Sequence, residues 1–95
     1  MGILYRGEYE ICRLSEIGEG GLGFFSDCTY NKGSQAVVTY SIEGFFVVTT
    51  AEIVSQNSRD GKYHHGVAFT NVSFEAKRRI RDFIASRTDT YLVND

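Results

Sequence analysis

The sequence predicts a mostly β domain, an antiparallel barrel or closed sandwich, that ends in one amphipathic helix. Five or six short segments are rich in β-branched and aromatic residues and are separated by turns that contain glycine. Before residue 73 no segment repeats its apolar residues at helical spacing, whereas the segment after it does. Strands that follow one another without intervening helices do not build a parallel sheet, so we expect antiparallel pairing.

The first strands are expected within residues 3–14, on either side of a turn at Gly7-Glu8. They are followed by residues 16–23, a segment in which half of the residues are glycine. Because glycine adopts positive φ readily, this segment is expected to form a shaped loop rather than the interior of a strand.

The middle of the chain predicts a β-hairpin, a loop and a further strand. Residues 36–42 and 45–54 are apolar, β-rich runs joined by Glu43-Gly44, which is typical of a two-residue turn. Residues 55–62 contain asparagine, aspartate and glycine and are expected to form a loop. Residues 63–69 are expected to form the last strand.

The helix is expected over residues 74–87. Ser73 is a suitable cap, and Glu75 places a negative charge at the positive end of the helix dipole. Apolar residues recur at helical spacing and should pack on the sheet: Ala76, Ile80, Phe83 and Ile84. Cations occupy the rest of the surface and are expected to be solvated: Lys77, Arg78, Arg79 and Arg81.

Length and composition exclude several classes of protein. The 95 residues are expected to form one domain, residues 1–95. A net charge of −2 and a pI of about 5.6 argue against a nucleic-acid binder. Cys12 and Cys28 are expected to be unbridged thiols, and no histidine or cysteine lies at zinc-ligand spacing. Without a long apolar run or a signal peptide, we expect a cytoplasmic protein that does not insert into membranes.

Patterns that suggest catalysis or a cofactor have structural interpretations instead. Gly18–Gly23 matches Gly-x-Gly-x-x-Gly, but a dinucleotide site needs a helix directly after it, and residues 24–29 lack a helical pattern. His64 and His65 are adjacent on a strand, so one should point inward and one outward, which prevents joint metal binding. The sequence contains no nucleophile-elbow motif and no obvious pair of catalytic carboxylates, and we expect no enzyme activity.

Two segments carry a resemblance to a known family. The first is residues 16–24, Glu-Ile-Gly-Glu-Gly-Gly-Leu-Gly-Phe, and the second is Gly66-Val67-Ala68-Phe69 with the arginine-rich helix after it. In order and separation they resemble the glycine loop, closing strand and helix of the PilZ domain, over about Tyr9 to Ser86. The resemblance implies a six-stranded antiparallel barrel and, in many members, binding of cyclic di-GMP.

The resemblance also identifies candidate ligand-binding residues. Members that bind cyclic di-GMP hold it with an Arg-x-x-x-Arg motif upstream of the first strand and with an Asp-x-Ser-x-x-Gly loop. Here Glu16 stands at the aspartate position, Gly18 stands at the serine position, and Gly21 matches the glycine. Arg6 and Arg13 are the available arginines, but they are seven residues apart and do not form the motif.

The resemblance implies a PilZ-type signalling module of bacterial cyclic di-GMP pathways, which control motility, pili and surface behaviour, and the differences bear on whether it binds the nucleotide. Each missing arginine removes charge-assisted contacts worth roughly 1.5–3 kcal/mol. Two such losses weaken binding by at least about two decades. We therefore expect weak or absent cyclic di-GMP binding, no other cofactor, and action through a regulatory protein partner.

Two alternatives stay open. The chain is a genuine cyclic di-GMP receptor if other arginines, such as Arg6 or those of the helix, replace the motif. It is a small β-barrel that binds single-stranded nucleic acid if exposed aromatic residues stack on bases, the candidates being Tyr40, Phe45 and Phe46.

Overall fold

A computed structural model describes residues 1–94 of the chain, with side chains described for residues 1–86. The described residues form seven strands and one helix: β1 (Gly2–Tyr5), β2 (Glu8–Ile11), β3 (Arg13–Ile17), β4 (Gly21–Ser26), β5 (Gln35–Ile42), β6 (Phe45–Arg59), β7 (Lys62–Phe69) and α1 (Phe74–Asn94). The strands make one antiparallel sheet in the order β2-β1-β5-β6-β7-β4-β3. The predicted fold class is confirmed, with seven strands instead of six.

The sheet curls into a half-barrel whose two edge strands, β2 and β3, are consecutive in the chain. Cys12 joins them, and its N–H donates a hydrogen bond of 2.8 Å to the carbonyl of Met1. Glu10 on β2 reaches across the opening, where its carboxylate accepts hydrogen bonds from the hydroxyls of Ser26 (2.8 Å) and Tyr30. Side-chain hydrogen bonds therefore span the opening from β2 to β4 and to the segment after β4.

Three hairpins are closed by two-residue turns with positive φ at both positions, as a type I′ turn requires. These turns are Arg6-Gly7, Glu43-Gly44 and Asp60-Gly61. The turn predicted at Glu43-Gly44 is confirmed, whereas the N-terminal turn lies one residue earlier than the predicted Gly7-Glu8.

The loop predicted over residues 55–62 is wrong, because this segment is part of a long antiparallel ribbon. β6 continues to Arg59 and pairs with β7 as far as Lys62. A β-bulge between Ile53 and Ser55 shifts the register but does not end the strand. The side chains of residues 56–59 are exposed, because this end of the ribbon projects into solvent. Their polar character therefore fits a solvent-exposed strand as well as a loop.

The core lies between the inner face of the curled sheet and α1. Its fully buried side chains come from six different elements: Ile3, Phe24, Val38, Ile53, His65 and Ile80. Aromatic contacts connect some of them to their neighbours; for example, the rings of Phe24 and Tyr30 meet edge to face with their centres 5.9 Å apart.

Helix α1 begins where the sequence predicts. The Ser73 hydroxyl accepts a hydrogen bond of 3.1 Å from the N–H of Ala76, which caps the helix. The apolar stripe packs on the sheet through two buried and two partly buried side chains: Ala76, Ile80, Phe83 and Ile84. The helix continues to Asn94 instead of ending at residue 87. Within the described residues, no helix combines the length and apolar character needed to cross a membrane.

Both cysteines are free thiols, as predicted. Cys12 is buried and Cys28 is exposed. Burial, together with the nearby charge of Glu10, raises the pKa of the Cys12 thiol to about 12. This thiol is therefore protonated and unreactive at neutral pH.

His65 is an ionisable side chain inside the core. Its ring stacks on Phe24 at 5.1 Å, and its Nε2 accepts a hydrogen bond of 3.1 Å from the N–H of Tyr30. The proton of the neutral ring must then be on Nδ1, which is buried without a hydrogen-bond partner. Burial, reinforced by His64, lowers the pKa of His65.

We expect His65 to make the fold sensitive to mild acid. The unfolded chain binds a proton at His65 near the ordinary pKa of about 6.5, whereas the folded state binds it only at lower pH. The free energy of unfolding should therefore decrease as the pH falls from 7 to 5, by at most about 1.4 kcal/mol per pH unit. Urea denaturation at several pH values measures this slope, and a slope that His65→Gln leaves unchanged contradicts the assignment.

Removal of the Ile80 side chain should destabilise the domain strongly, because Ile80 is fully buried between α1 and the sheet. We expect Ile80→Ala to lower the free energy of unfolding by about 2–5 kcal/mol. Phe83→Ala should have a smaller effect than for a fully buried phenylalanine, because Phe83 is only partly buried. Arg78→Ala, on the exposed side of the helix, is the control. Equal denaturation midpoints for Ile80→Ala and Arg78→Ala would show that the helix does not pack as described.

Candidate functional site

The glycine-rich segment forms a β-hairpin and not the shaped loop predicted over residues 16–23. β3 extends to Ile17, and β4 begins at Gly21, so only residues 18–20 lie between the strands. The N–H of Gly18 donates a hydrogen bond of 2.8 Å to the carbonyl of Gly21, which closes the turn. Two candidate ligand residues, Gly18 and Gly21, therefore flank a tight turn.

Two glycines of this hairpin, Gly21 and Gly23, are required by close packing and not by positive φ, which none of the hairpin glycines adopts. A Cβ atom at Gly21 would clash with the carbonyl oxygen of Val67 on the neighbouring strand β7. A Cβ atom at Gly23 would lie 2.5 Å from Glu16 Oε1 and 3.0 Å from His64 Nε2. Both positions are therefore glycine because other atoms occupy the space of a side chain.

A polar cluster lies on the outer face of β3, β4 and β7. His64 Nε2 is 2.9 Å from the hydroxyl of Ser15 and 3.5 Å from Glu16 Oε1. The side chain of His64 is only 10% exposed, whereas that of Glu16 is 69% exposed. The prediction that one of the two adjacent histidines points inward and the other outward is confirmed, because His65 lies in the core and His64 on the outer face. His64 is nevertheless buried, since β3 side chains and the ring of Phe25 cover it.

A β-bulge places two candidate residues on the same face. The register shifts between Leu14 and Glu16, so Arg13 lies opposite Phe25 while Glu16 lies opposite Gly23. Because Phe25 and Gly23 share the outer face, Arg13 and Glu16 do so as well. The guanidinium of Arg13 lies 5.6 Å from the centre of the Phe25 ring.

The turn of the hairpin contacts helix α1. Arg81 Nε donates a hydrogen bond of 2.6 Å to Glu19 Oε1, and the N–H of Phe69 donates one of 2.8 Å to the carbonyl of Gly20. Lys77 and Arg81 line a cleft of about 460 Å³ beside this turn. Both cations are exposed, as expected, and their spacing of four residues places them on the same side of the helix.

Arg6 lies apart from the other candidates. It occupies the β1–β2 turn, where its guanidinium is 5.1 Å from the centre of the Tyr5 ring. Arg6 lines a cleft with Tyr9 and Tyr30, whereas Arg13 lines a different cleft beside Arg59. The structure therefore brings Arg13 and Glu16 to one face but leaves Arg6, Arg13 and the hairpin turn at three separate clefts.

The family model that describes the PilZ domain matches residues 2–86. The chain belongs to the PilZ domain family. PilZ domains are non-enzymatic signalling modules of cyclic di-GMP pathways, and they bind cyclic di-GMP and protein partners. Comparisons with curated proteins and with solved structures found no significant match.

In this PilZ domain, hairpin β3–β4 carries all three candidate loop residues. Glu16 presents an exposed carboxylate beside His64, and Gly18 offers only backbone atoms at the position of the family's serine. Gly21 lies against the backbone of β7. The hairpin thus offers one exposed carboxylate and backbone atoms at the candidate positions.

Substitution of Gly21 should destabilise this PilZ domain far more than substitution of Gly20. A methyl group at Gly21 meets backbone of β7, which cannot move without disturbing the sheet, and such overpacking costs about 1–3 kcal/mol. Gly20 has nothing within 4 Å of its would-be Cβ, so Gly20→Ala is a matched control from the same turn. Thermal or urea unfolding compares the two variants. Similar stabilities would contradict the packing role assigned to Gly21.

Proposed function

We propose that this PilZ domain is a cytoplasmic signalling module that binds cyclic di-GMP weakly or not at all and acts through a regulatory protein partner. The observation that carries the proposal is the separation of its candidate arginines. Arg6 and Arg13 line different clefts, and neither cleft contains the turn of hairpin β3–β4.

The separation of Arg6 and Arg13 should weaken binding of cyclic di-GMP, because the nucleotide is an anion. Cyclic di-GMP carries two phosphates and two guanines, which two convergent arginines can hold through paired hydrogen bonds and stacking. Here the guanidinium of Arg6 stacks on Tyr5 and that of Arg13 stacks on Phe25. A bound nucleotide would have to draw both arginines from their own aromatic partners and toward one site.

The carboxylates of the hairpin also disfavour an anionic ligand. Glu16 is longer than the aspartate it replaces, and its exposed carboxylate would repel phosphate. Gly18 supplies no hydroxyl to offset this repulsion. Together these changes support weak nucleotide binding at the hairpin.

An apolar area of the outer face supports action through protein contacts. The outward side chains of β2, of β1, of β5 and of residues 46–50 of β6 include no charged residue, whereas Glu52, further along β6, is outward and charged. Several large apolar ones are strongly exposed, namely Leu4, Tyr9, Ile11, Phe46 and Val48. Contiguous apolar patches of this kind are characteristic of protein interaction sites.

The nucleic-acid alternative lacks support from the same side chains. Tyr40 is buried in the core, and Phe45 is partly buried beneath the guanidinium of Arg79, which lies 4.8 Å from the ring centre. Phe46 points to the opposite face. The three rings therefore do not form the stacking platform that binding to single strands requires.

A cyclic di-GMP receptor that uses helix cations is the second candidate. Lys77 and Arg81 lie beside the hairpin turn in one cleft, where they could contact a phosphate. Against this, Arg81 is already paired with Glu19.

Isothermal titration calorimetry with cyclic di-GMP at physiological salt tests the proposal. We expect no binding with a Kd below about 10 μM, because the arginines do not converge. Sub-micromolar binding that is lost in Arg6→Ala or Arg13→Ala would overturn the proposal and identify a relocated arginine. The same binding lost in Arg81→Ala, but retained in the control Arg78→Ala, would establish the receptor that uses helix cations.

A further inference from the structure

The exposed side of α1 carries a stripe of one aromatic and three cationic residues that the fold does not use for its core. The α1 stripe consists of Phe74, Lys77, Arg78 and Arg81, which are spaced i, i+3, i+4 and i+7 and therefore share one side of the helix. Phe74 is 79% exposed, the highest value among the large apolar side chains of the described residues. Ala76 and Ile80, which pack on the core, lie on another side.

Charge is segregated to this part of an otherwise acidic protein. Residues 74–81 contain four cations and one carboxylate, a net charge of +3, whereas the whole chain has a net charge of −2. The rest of the chain therefore carries a net charge of −5. Among the described residues Arg79 pairs with Glu75 and Arg81 with Glu19, while Lys77 and Arg78 have no ion pair.

A cleft whose lining is mainly polar but includes two apolar side chains adjoins the stripe. It has a volume of about 460 Å³ and lies between the turn of hairpin β3–β4, the segment after β7 and the first turns of α1. Phe69 and Val72 are the partly buried apolar residues of its lining, and Lys77 and Arg81 form its cationic side. Such a cleft is suited to an apolar side chain that has carboxylates on either side.

We propose that the α1 stripe and this cleft form a docking surface for an acidic protein segment that contains an apolar anchor residue. Carboxylates of the segment pair with Lys77, Arg78 and Arg81, and its apolar side chain enters the cleft beside Phe69 and Val72. The proposal rests on the proposed function, since it names the surface and the chemistry of the protein partner.

An acidic protein segment fits this surface better than an anionic membrane does. The stripe is one helix face wide, and Glu19 and Glu75 lie beside it. A flat membrane would contact these carboxylates together with the cations, and the net charge of the remaining chain would oppose its approach. A protein segment can follow the stripe, avoid Glu75 and displace Glu19 from Arg81.

Glu19 acts as an internal competitor for the partner. Its carboxylate holds Arg81 at 2.6 Å, in the way that a carboxylate of the partner would. Both side chains are about half exposed, so the ion pair is weak and can be exchanged. Glu19→Gln should therefore strengthen binding of an acidic partner. Because this substitution also removes a negative charge that repels any acidic peptide, a neutral peptide has to be tested as well.

NMR titration of the isotope-labelled full chain tests this surface. The probe is a short synthetic peptide of glutamates around one leucine, and its control has glutamine in place of each glutamate. We expect amide shifts at residues 69–81 with the acidic peptide, weakening as salt screens the charges, and none with the neutral peptide. Lys77→Gln and Arg78→Gln should each raise the Kd by about 3- to 10-fold, and Glu19→Gln should lower it by about 3-fold.

Phe74→Ser separates docking from simple charge attraction, because it leaves the net charge unchanged. We expect it to raise the Kd for the acidic peptide by about 10-fold. Equal binding by this variant and the parent chain, or shifts spread over all exposed cations, would overturn the proposal. Preferential binding to vesicles of phosphatidylglycerol, or to cyclic di-GMP at the same residues, would also overturn it. Because calorimetry with cyclic di-GMP is a separate measurement, failure of this surface is distinguishable from failure of the proposed function.

Discussion

The close approach of β4 to β7 is the constraint on which the rest of this half-barrel depends. The Val67 carbonyl fills the space of a side chain at Gly21, and the side chains of Glu16 and His64 fill the space at Gly23. Glycine at position 23 lets the β3 side chains of Ser15 and Glu16 lie over the sheet and cover His64, although His64 lies on the outer face. The hairpin turn is then held against α1 through Glu19 and Arg81.

Because of this packing, membership of the PilZ family does not by itself imply that the chain binds cyclic di-GMP. Gly21 matches the family loop, yet its packing against β7 would require glycine in the absence of any ligand. Glycine at position 21 is therefore evidence for the packing of the sheet and not for a ligand. The proposal of weak nucleotide binding depends instead on the candidate positions Glu16 and Gly18.

The sequence correctly predicted the elements whose conformation depends on the backbone preferences of a few neighbouring residues. The Glu43-Gly44 turn and the Ser73 cap follow from backbone preferences and are confirmed. The full length of β6 was missed, because its polar end is paired with β7 and only long-range pairing makes it a strand. The burial of His64 was missed for the same reason: it requires the bulge near Ser15, which places a hydroxyl and a carboxylate over the ring. The separation of Arg6 from Arg13 likewise depends on how the sheet curls, which their spacing in sequence does not reveal.

The distribution of arginine partners supports the proposal that this domain binds an extended protein partner in preference to a compact anion. Three arginines lie over aromatic rings of the chain: Arg6 over Tyr5, Arg13 over Phe25 and Arg79 over Phe45. At exposed sites each contact contributes roughly 0.5–1 kcal/mol, and a small ligand must overcome several of them to gather these arginines at one point. A protein segment instead meets cations where they already lie. It gains from many weak contacts along a surface and needs no rearrangement of the sheet, which makes the fixed geometry of the half-barrel an advantage for recognition by protein.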